Sequence, residues 1–178
     1  MPSKSRHSVY KIATALLFTL SLSTAAICQK CFICVKPVVD MPVTLEKGTA
    51  RSPEFTVKHK QYIIKLQVDN ALPLGQTKCM LGLRFAWEHD NCELVGFPLA
   101  IEAEWTLYSD GQPVAHGTVR GKDTAWETSK SHTSRWIANF MGEKGKKYVL
   151  EVNFTKDGTA LRVANPRLVV EVTPGFSW

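Results

Sequence analysis

Residues 99–112 read Leu-Ala-Ile-Glu-Ala-Glu-Trp-Thr-Leu-Tyr-Ser-Asp-Gly-Gln, and the fold can be read outward from them. Leu99, Ile101, Ala103, Trp105 and Leu107 alternate with Glu102, Glu104 and Thr106. A period of two places each set on its own face, as a half-buried strand requires. Asp110-Gly111 follows, a pair that tolerates the positive φ of a tight hairpin turn. Residues 114–120 are therefore predicted to return antiparallel to 99–108.

The same period recurs on both sides. Phe55 and Val57, then Tyr62, Ile64, Leu66 and Val68, alternate with their neighbours, and so do Trp136, Ala138 and Phe140. A Gly142-Glu-Lys-Gly145 turn leads to Tyr148, Leu150, Val152 and Phe154. After Asp157-Gly158 and Asn165-Pro166, residues 168–172 form a last strand. About seven short strands separated by turn signals predict a mainly β, antiparallel sandwich. Helix-period segments between strands are absent, which argues against a parallel α/β sheet.

Residues 74–90 break the pattern. Cys79, Leu81, Leu83, Phe85 and Trp87 fit a strand, while Met80, Leu83, Arg84 and Trp87 fit a helix face. Gly82 weakens the helix, and a short apolar run is ambiguous by period. A short helix is allowed there, with a lid or crossover as its role in either conformation. Residues 27–53 hold Pro37, Pro42, Gly48 and Pro53 with little periodicity. They read as an extended leader with at most a short strand near Val43 to Leu45, before a sandwich domain at 54–178.

The first 26 residues read as a secretory signal peptide. Lys4, Arg6 and Lys11 precede a short apolar run at 12–22 and the small residues Ser23, Thr24, Ala25 and Ala26. The run is shorter than the ~20 residues of a spanning helix. Cleavage after Ala25 or Ala26 is expected. Ile27 before Cys28 departs from a lipobox, so membrane attachment is expected only if Cys28 is lipidated. Export places the protein outside the cytoplasm.

Removal of residues 1–26 from the 178-residue chain leaves 152, one ordinary domain. The formal charge of +6 falls to about +3 with the loss of three basic residues, too small an excess to indicate nucleic acid. The five cysteines are Cys28, Cys31, Cys34, Cys79 and Cys92. In an oxidising compartment disulfides are the default, and Cys79 with Cys92, flanking one compact segment, is the best pair. Cys28, Cys31 and Cys34 share the spacing of zinc thiolates, but no second Cys-x-x-Cys completes a site. No metal or other cofactor is expected.

Catalytic motifs are missing as well. There is no Gly-x-Ser-x-Gly, and Ser129-Lys-Ser131-His132 reads as polar loop. Glu88-His89-Asp90 cannot converge from a strand, whose neighbours point to opposite faces. Glu102 and Glu104 share a strand face, as glycosidase carboxylates could, but a solvated face explains them equally. The chain therefore reads as non-enzymatic.

Residues 54–68, 98–120 and 134–173 carry motifs shared with a known group. They are Phe55, Val57 and Tyr62 with alternation through Leu66, and a strand after Pro98 entering a hairpin. Gly145, Tyr148, Leu150 and Val152 follow, and the last is Asn-Pro-Arg-Leu-Val-Val-Glu-Val at 165–172. In these the chain resembles a family of exported bacterial proteins of unknown function. The resemblance covers roughly half the chain and implies an immunoglobulin-like sandwich in the bacterial envelope. Some members look like immunity proteins, so a protein partner, such as a toxin or effector, is implied. The family has no site motif to transfer, and the cysteine cluster departs from its pattern.

Two segments exceed simple turns, 69–97 and 121–134. Sandwiches present loops at their ends, where recognition concentrates. Arg84, Phe85, Trp87 and Glu88 in the first, and Trp126 in the second, are the candidate partner-binding residues. An exposed Trp126 would equally serve a carbohydrate- or cell-wall-binding module; packing against its own sheet edge is the plainer account.

Overall fold

The computed structural model describes residues 36–83, 92, 96, 99–121 and 126–173. The export signal, Cys28, Cys31, Cys34, Arg84, Phe85, Trp87, Glu88, His89 and Asp90 lie outside them.

Among the described residues, ten strands and one α-helix run in the order β1 (Val39–Pro42), β2 (Gly48–Arg51), β3 (Phe55–Thr56), β4 (Gln61–Asp69), α1 (Leu74–Leu81), β5 (Ala103–Ser109), β6 (Gln112–Val119), β7 (Trp126–Thr128), β8 (His132–Met141), β9 (Lys147–Phe154) and β10 (Arg167–Val172). A 3-10 helix, Thr159–Ala164, precedes β10. The first sheet has the order β1-β10-β4-β8-β7. The second has the order β2-β9-β5-β6, with β3 also on β9. All pairings are antiparallel. The described chain is thus mainly β, a sandwich of two five-stranded sheets.

The predicted hairpin forms, but β5 begins at Ala103 rather than Leu99, and Ala100 and Ile101 before it are both buried, which ends the alternation there. Ala103, Trp105, Leu107 and Ser109 are buried, and the residues between them are not. Asp110 and Gly111 have φ of 52° and 74°, the two positive values of a type I′ turn. Trp105 faces Gly117 across the pair, and a Cβ on Gly117 would stand 2.8 Å from the indole Nε1. The missing side chain lets the ring lie over β6.

The core joins both sheets. Tyr62, Ile64, Leu66, Val68, Leu168 and Val170 of the first meet Trp105, Leu107, Leu150, Val152 and Phe154 of the second. Area bookkeeping at ~25 cal/mol per Å² makes each such side chain worth about 1.5–3 kcal/mol. At one end Phe55, Tyr62, Phe140 and Tyr148 form an aromatic cluster with centroids 5.4–6.5 Å apart.

The leader at 27–53 needs correction. Residues 39–51 hold two strands, one in each sheet, so the sandwich begins well before residue 54. The expected strand at Val43 to Leu45 is instead the crossing between sheets. Val43 N–H donates to Pro166 O, and buried Leu45, at φ 59°, accepts from Gly158 N–H. Strands of four residues are too short to show a period, and Pro42 is tolerated because β1 is an edge strand.

Trp136 also departs from expectation. A bulge between Ile64 and Lys65 shifts the register, so Lys65 pairs with Trp136 and Leu66 with Arg135. Trp136 therefore leaves the core cluster, and Arg135 takes an inward position. One extra residue reverses which face each later side chain meets.

Residues 74–81 resolve as α1. Pro73 opens it, and Gly82, at φ 70°, closes it. Gly82 N–H bonds Cys79 O and Leu83 N–H bonds Lys78 O, a Schellman arrangement that needs a left-handed residue. Gly82 ends the helix rather than weakening its interior. α1 lies on the crossover from β4 in the first sheet to β5 in the second.

Candidate functional site

Cys79 and Cys92 form a disulfide with Cα atoms 5.4 Å apart. The bond staples the last turn of α1 to the segment leading to β5. Both cysteines belong to the connection between β4 and β5, so the bond closes a short loop within it.

Arg135 fastens the same helix from β8. Its Nη1 donates to Leu81 O at 2.7 Å and its Nη2 to Gly121 O at 2.9 Å. The side chain is 1 % exposed. Leu81 is the last residue of α1, where unsatisfied carbonyls and the helix dipole favour a cation. Gly82 is confined by this contact, because a Cβ there would overlap Leu99 and stand 2.7 Å from Arg135 Nη1.

Trp126 opens the edge strand β7 instead of projecting from a long loop; only residues 129–131 separate β7 from β8. Its ring is half-buried, packs against the core, and lies under Lys78 Nζ at 4.4 Å from the centroid. That geometry is a cation–π contact. Of the five candidate recognition residues, Trp126 is the described one, and the structure places it beside α1. Arg84, Phe85, Trp87 and Glu88 follow α1 in sequence, outside the described residues.

Two polar clusters hold contacts that the sequence reading did not give. Lys65 Nζ sits between Glu171 Oε1 at 2.6 Å and Glu127 Oε1 at 3.0 Å, and its side chain is 2 % exposed. Alternation correctly sends Lys65 away from the core, but burial of that face has no signature in a single strand. The second cluster is the β7–β8 turn. Ser129 Oγ lies 3.0 Å from His132 Nδ1, and His132 Nε2 lies 3.7 Å from Glu127 Oε1. The order mimics a catalytic triad. However, Ser129 Oγ accepts from the backbone N–H groups of Ser131 and His132 at 3.2 and 3.1 Å. Those bonds make it a turn staple and hold its lone pairs.

Among the described residues no group of three or more His, Cys, Asp or Glu is placed to hold a metal. Glu104 pairs with Arg120 at 3.6 Å on an exposed face. No described helix is long and apolar enough to cross a membrane.

No protein-family model and no curated protein matches the chain. Among solved structures it is similar to GEBA250068378 from Sulfurospirillum deleyianum. The match has a TM-score of 0.53 at 12% identity and covers 76% of this chain and 97% of that one. At that identity the likeness concerns the fold alone.

Proposed function

We propose that this is an exported, non-enzymatic binding protein of the bacterial envelope, with an immunoglobulin-like sandwich and a protein as its partner. The observation that carries the reading is the stapled connection between β4 and β5. Disulfide, buried arginine and Schellman cap hold α1 rigidly, and residues 84–88 continue from it. A rigid scaffold presenting an aromatic and charged segment is how loop-based recognition limits its entropic cost. The disulfide also suits an oxidising compartment. The resemblance to exported proteins, some like immunity proteins, makes a toxin or effector the proposed partner.

Sugar stacking on Trp126 is the weaker reading, because Lys78 covers its ring.

The test begins with N-terminal sequencing of secreted material, which should start at Ala26 or Ile27; a retained Met1 would sink export. A partner is then captured from envelope extract and its affinity measured against variants. Trp87→Ala should weaken binding more than about tenfold, ~1.4 kcal/mol, with the thermal transition unchanged. Normal binding by a folded Trp87→Ala variant moves the recognition surface elsewhere.

A further inference from the structure

At the opposite end of β4 from α1, two turns lie side by side, residues 57–60 and 142–146. Gly142 N–H donates to Lys60 O at 2.8 Å, Gly145 N–H to Val57 O at 2.9 Å and Val57 N–H to Lys146 O at 3.2 Å. Two buried phenols pin them from below. Tyr62 OH accepts from Lys58 and His59 N–H at 2.8 and 3.1 Å. Tyr148 OH accepts from Glu143 N–H at 3.1 Å. The approach is close enough that a Cβ on Gly142 would stand 2.9 Å from Val57 Cγ2. The two turns are therefore one unit.

Together they line an open groove of about 490 Å³ with Lys58, His59, Lys60, Gly142 and Lys144. The nearby acids are engaged elsewhere. Glu143 pairs with Lys146 and Glu54 with Lys147, each at 2.7 Å. These carboxylates hold both ammonium groups above the ordinary lysine range, and Asp110 adds weakly at Lys146. Lys58 and Lys144 have no ion pair among the described residues, and Lys60 adds a third ammonium group to the groove.

We propose that this groove docks the protein on the phosphate headgroups of an anionic lipid surface. Charge complementarity carries the choice, and backbone accounting separates a lipid surface from a small free anion. A pocket for free phosphate uses convergent backbone N–H groups. Here the N–H groups of Lys58, His59, Gly142, Glu143, Gly145 and Lys146 are all spent on the phenols or on carbonyls. What reaches outward is a set of lysines, mobile point charges without the arginine fork that grips one phosphate. Such a set suits many headgroups, each lysine near the surface strengthening binding about fivefold. Binding should fade with salt, since the Debye length falls to ~3 Å at 1 M. The proposal is independent of the protein-partner reading above, which concerns the other end of the sandwich.

The test is cosedimentation of the purified chain with phosphatidylcholine vesicles, with and without phosphatidylglycerol, at low and high salt. Binding should need phosphatidylglycerol and vanish at high salt. The triple variant K58Q/K60Q/K144Q should lose about a hundredfold. The control K47Q/K130Q/K156Q removes as many lysines at the other end of the sandwich and should retain binding within about twofold of the parent, since the attraction fades within a Debye length. Thermal melts establish that both variants fold. Equal loss in the control, or binding without phosphatidylglycerol, overturns the proposal. So does displacement by inorganic phosphate beyond that of chloride at equal ionic strength, which would mark a free-anion pocket. If vesicles fail but an acidic polypeptide column retains the chain through the same three lysines, the groove belongs to a protein and the lipid assignment falls.

Discussion

The two ends of the sandwich are secured by different means. Where β4 begins, the turns are short, and phenol hydroxyls and backbone bonds hold them from inside the core. Where β4 ends, one connection spans from Asn70 to Glu102 and is held by a disulfide, a buried guanidinium and a glycine cap. The first end needs only local bonds because its turns lie next to the strands they join. The second bridges two sheets, and the disulfide shortens its free length by closing the 79–92 loop within it. Rigid short turns suit an invariant charged surface, and a long stapled connection suits a shaped recognition element.

The largest effect should come from the aromatic end. Tyr148→Ala or Tyr62→Ala should cost ~3–5 kcal/mol in denaturant unfolding, since each removes a buried ring from the cluster. Tyr148→Phe should cost only about 1 kcal/mol, the net worth of one hydrogen bond. A Tyr148→Ala variant that unfolds like the parent would break the assignment of that end.

The stapled end should respond next. Loss of the Cys79–Cys92 bond, by reduction or by Cys79→Ala with Cys92→Ala, should cost about 3 kcal/mol in the chain-entropy model. Hydrogen exchange should accelerate in α1 and leave the N–H groups of Lys58 and Glu143 protected. Equal acceleration at both ends would mean that they are energetically one unit.

Glycine substitution sharpens the contrast further. Gly82→Ala should destabilise by about 1–3 kcal/mol through left-handed strain and overpacking. Gly142→Ala, facing a valine methyl that can give way, should lie at the low end of that range or below it. The reverse order in thermal melts would show that the Schellman cap is not what fixes α1.

The smallest effects concern pH, through exposed groups. Asp157, at the α1 end, is held below the usual carboxylate range by the Thr159 N–H. Its contribution is present above the ordinary carboxyl pKa and lost as pH falls through the lowered one. Lys146 and Lys147 are raised by Glu143 and Glu54. Their contribution is present below the ordinary lysine pKa and lost as pH rises through the raised one. Asp157→Asn should thus blunt the acid limb of a stability profile and Glu143→Gln the alkaline limb; interchanged limbs would refute both attributions.

Legibility in the sequence tracked the length of the periodic run. The β5–β6 hairpin was readable to its turn, because five alternating apolar residues and Asp110-Gly111 agree. β1 and β2 were not, because four residues carry no period and the prolines beside them look like linker. Trp126 read as loop because β7 has three residues and gains its strand identity from β8. The Cys79–Cys92 pair was legible from compact spacing, whereas Arg135 was hidden behind the β4–β8 bulge.

Composition and alternation by themselves determined a mainly β chain with antiparallel hairpins, because a strand exposing one face to a core must repeat every two residues. Only the tertiary structure decided which sheet each short strand joins, which side of β8 faces inward and that Gly82 closes a helix. It alone brought Lys58 and Lys60 beside Lys144. Those outcomes depend on pairings between residues far apart in the chain, and no local pattern encodes a partner's register.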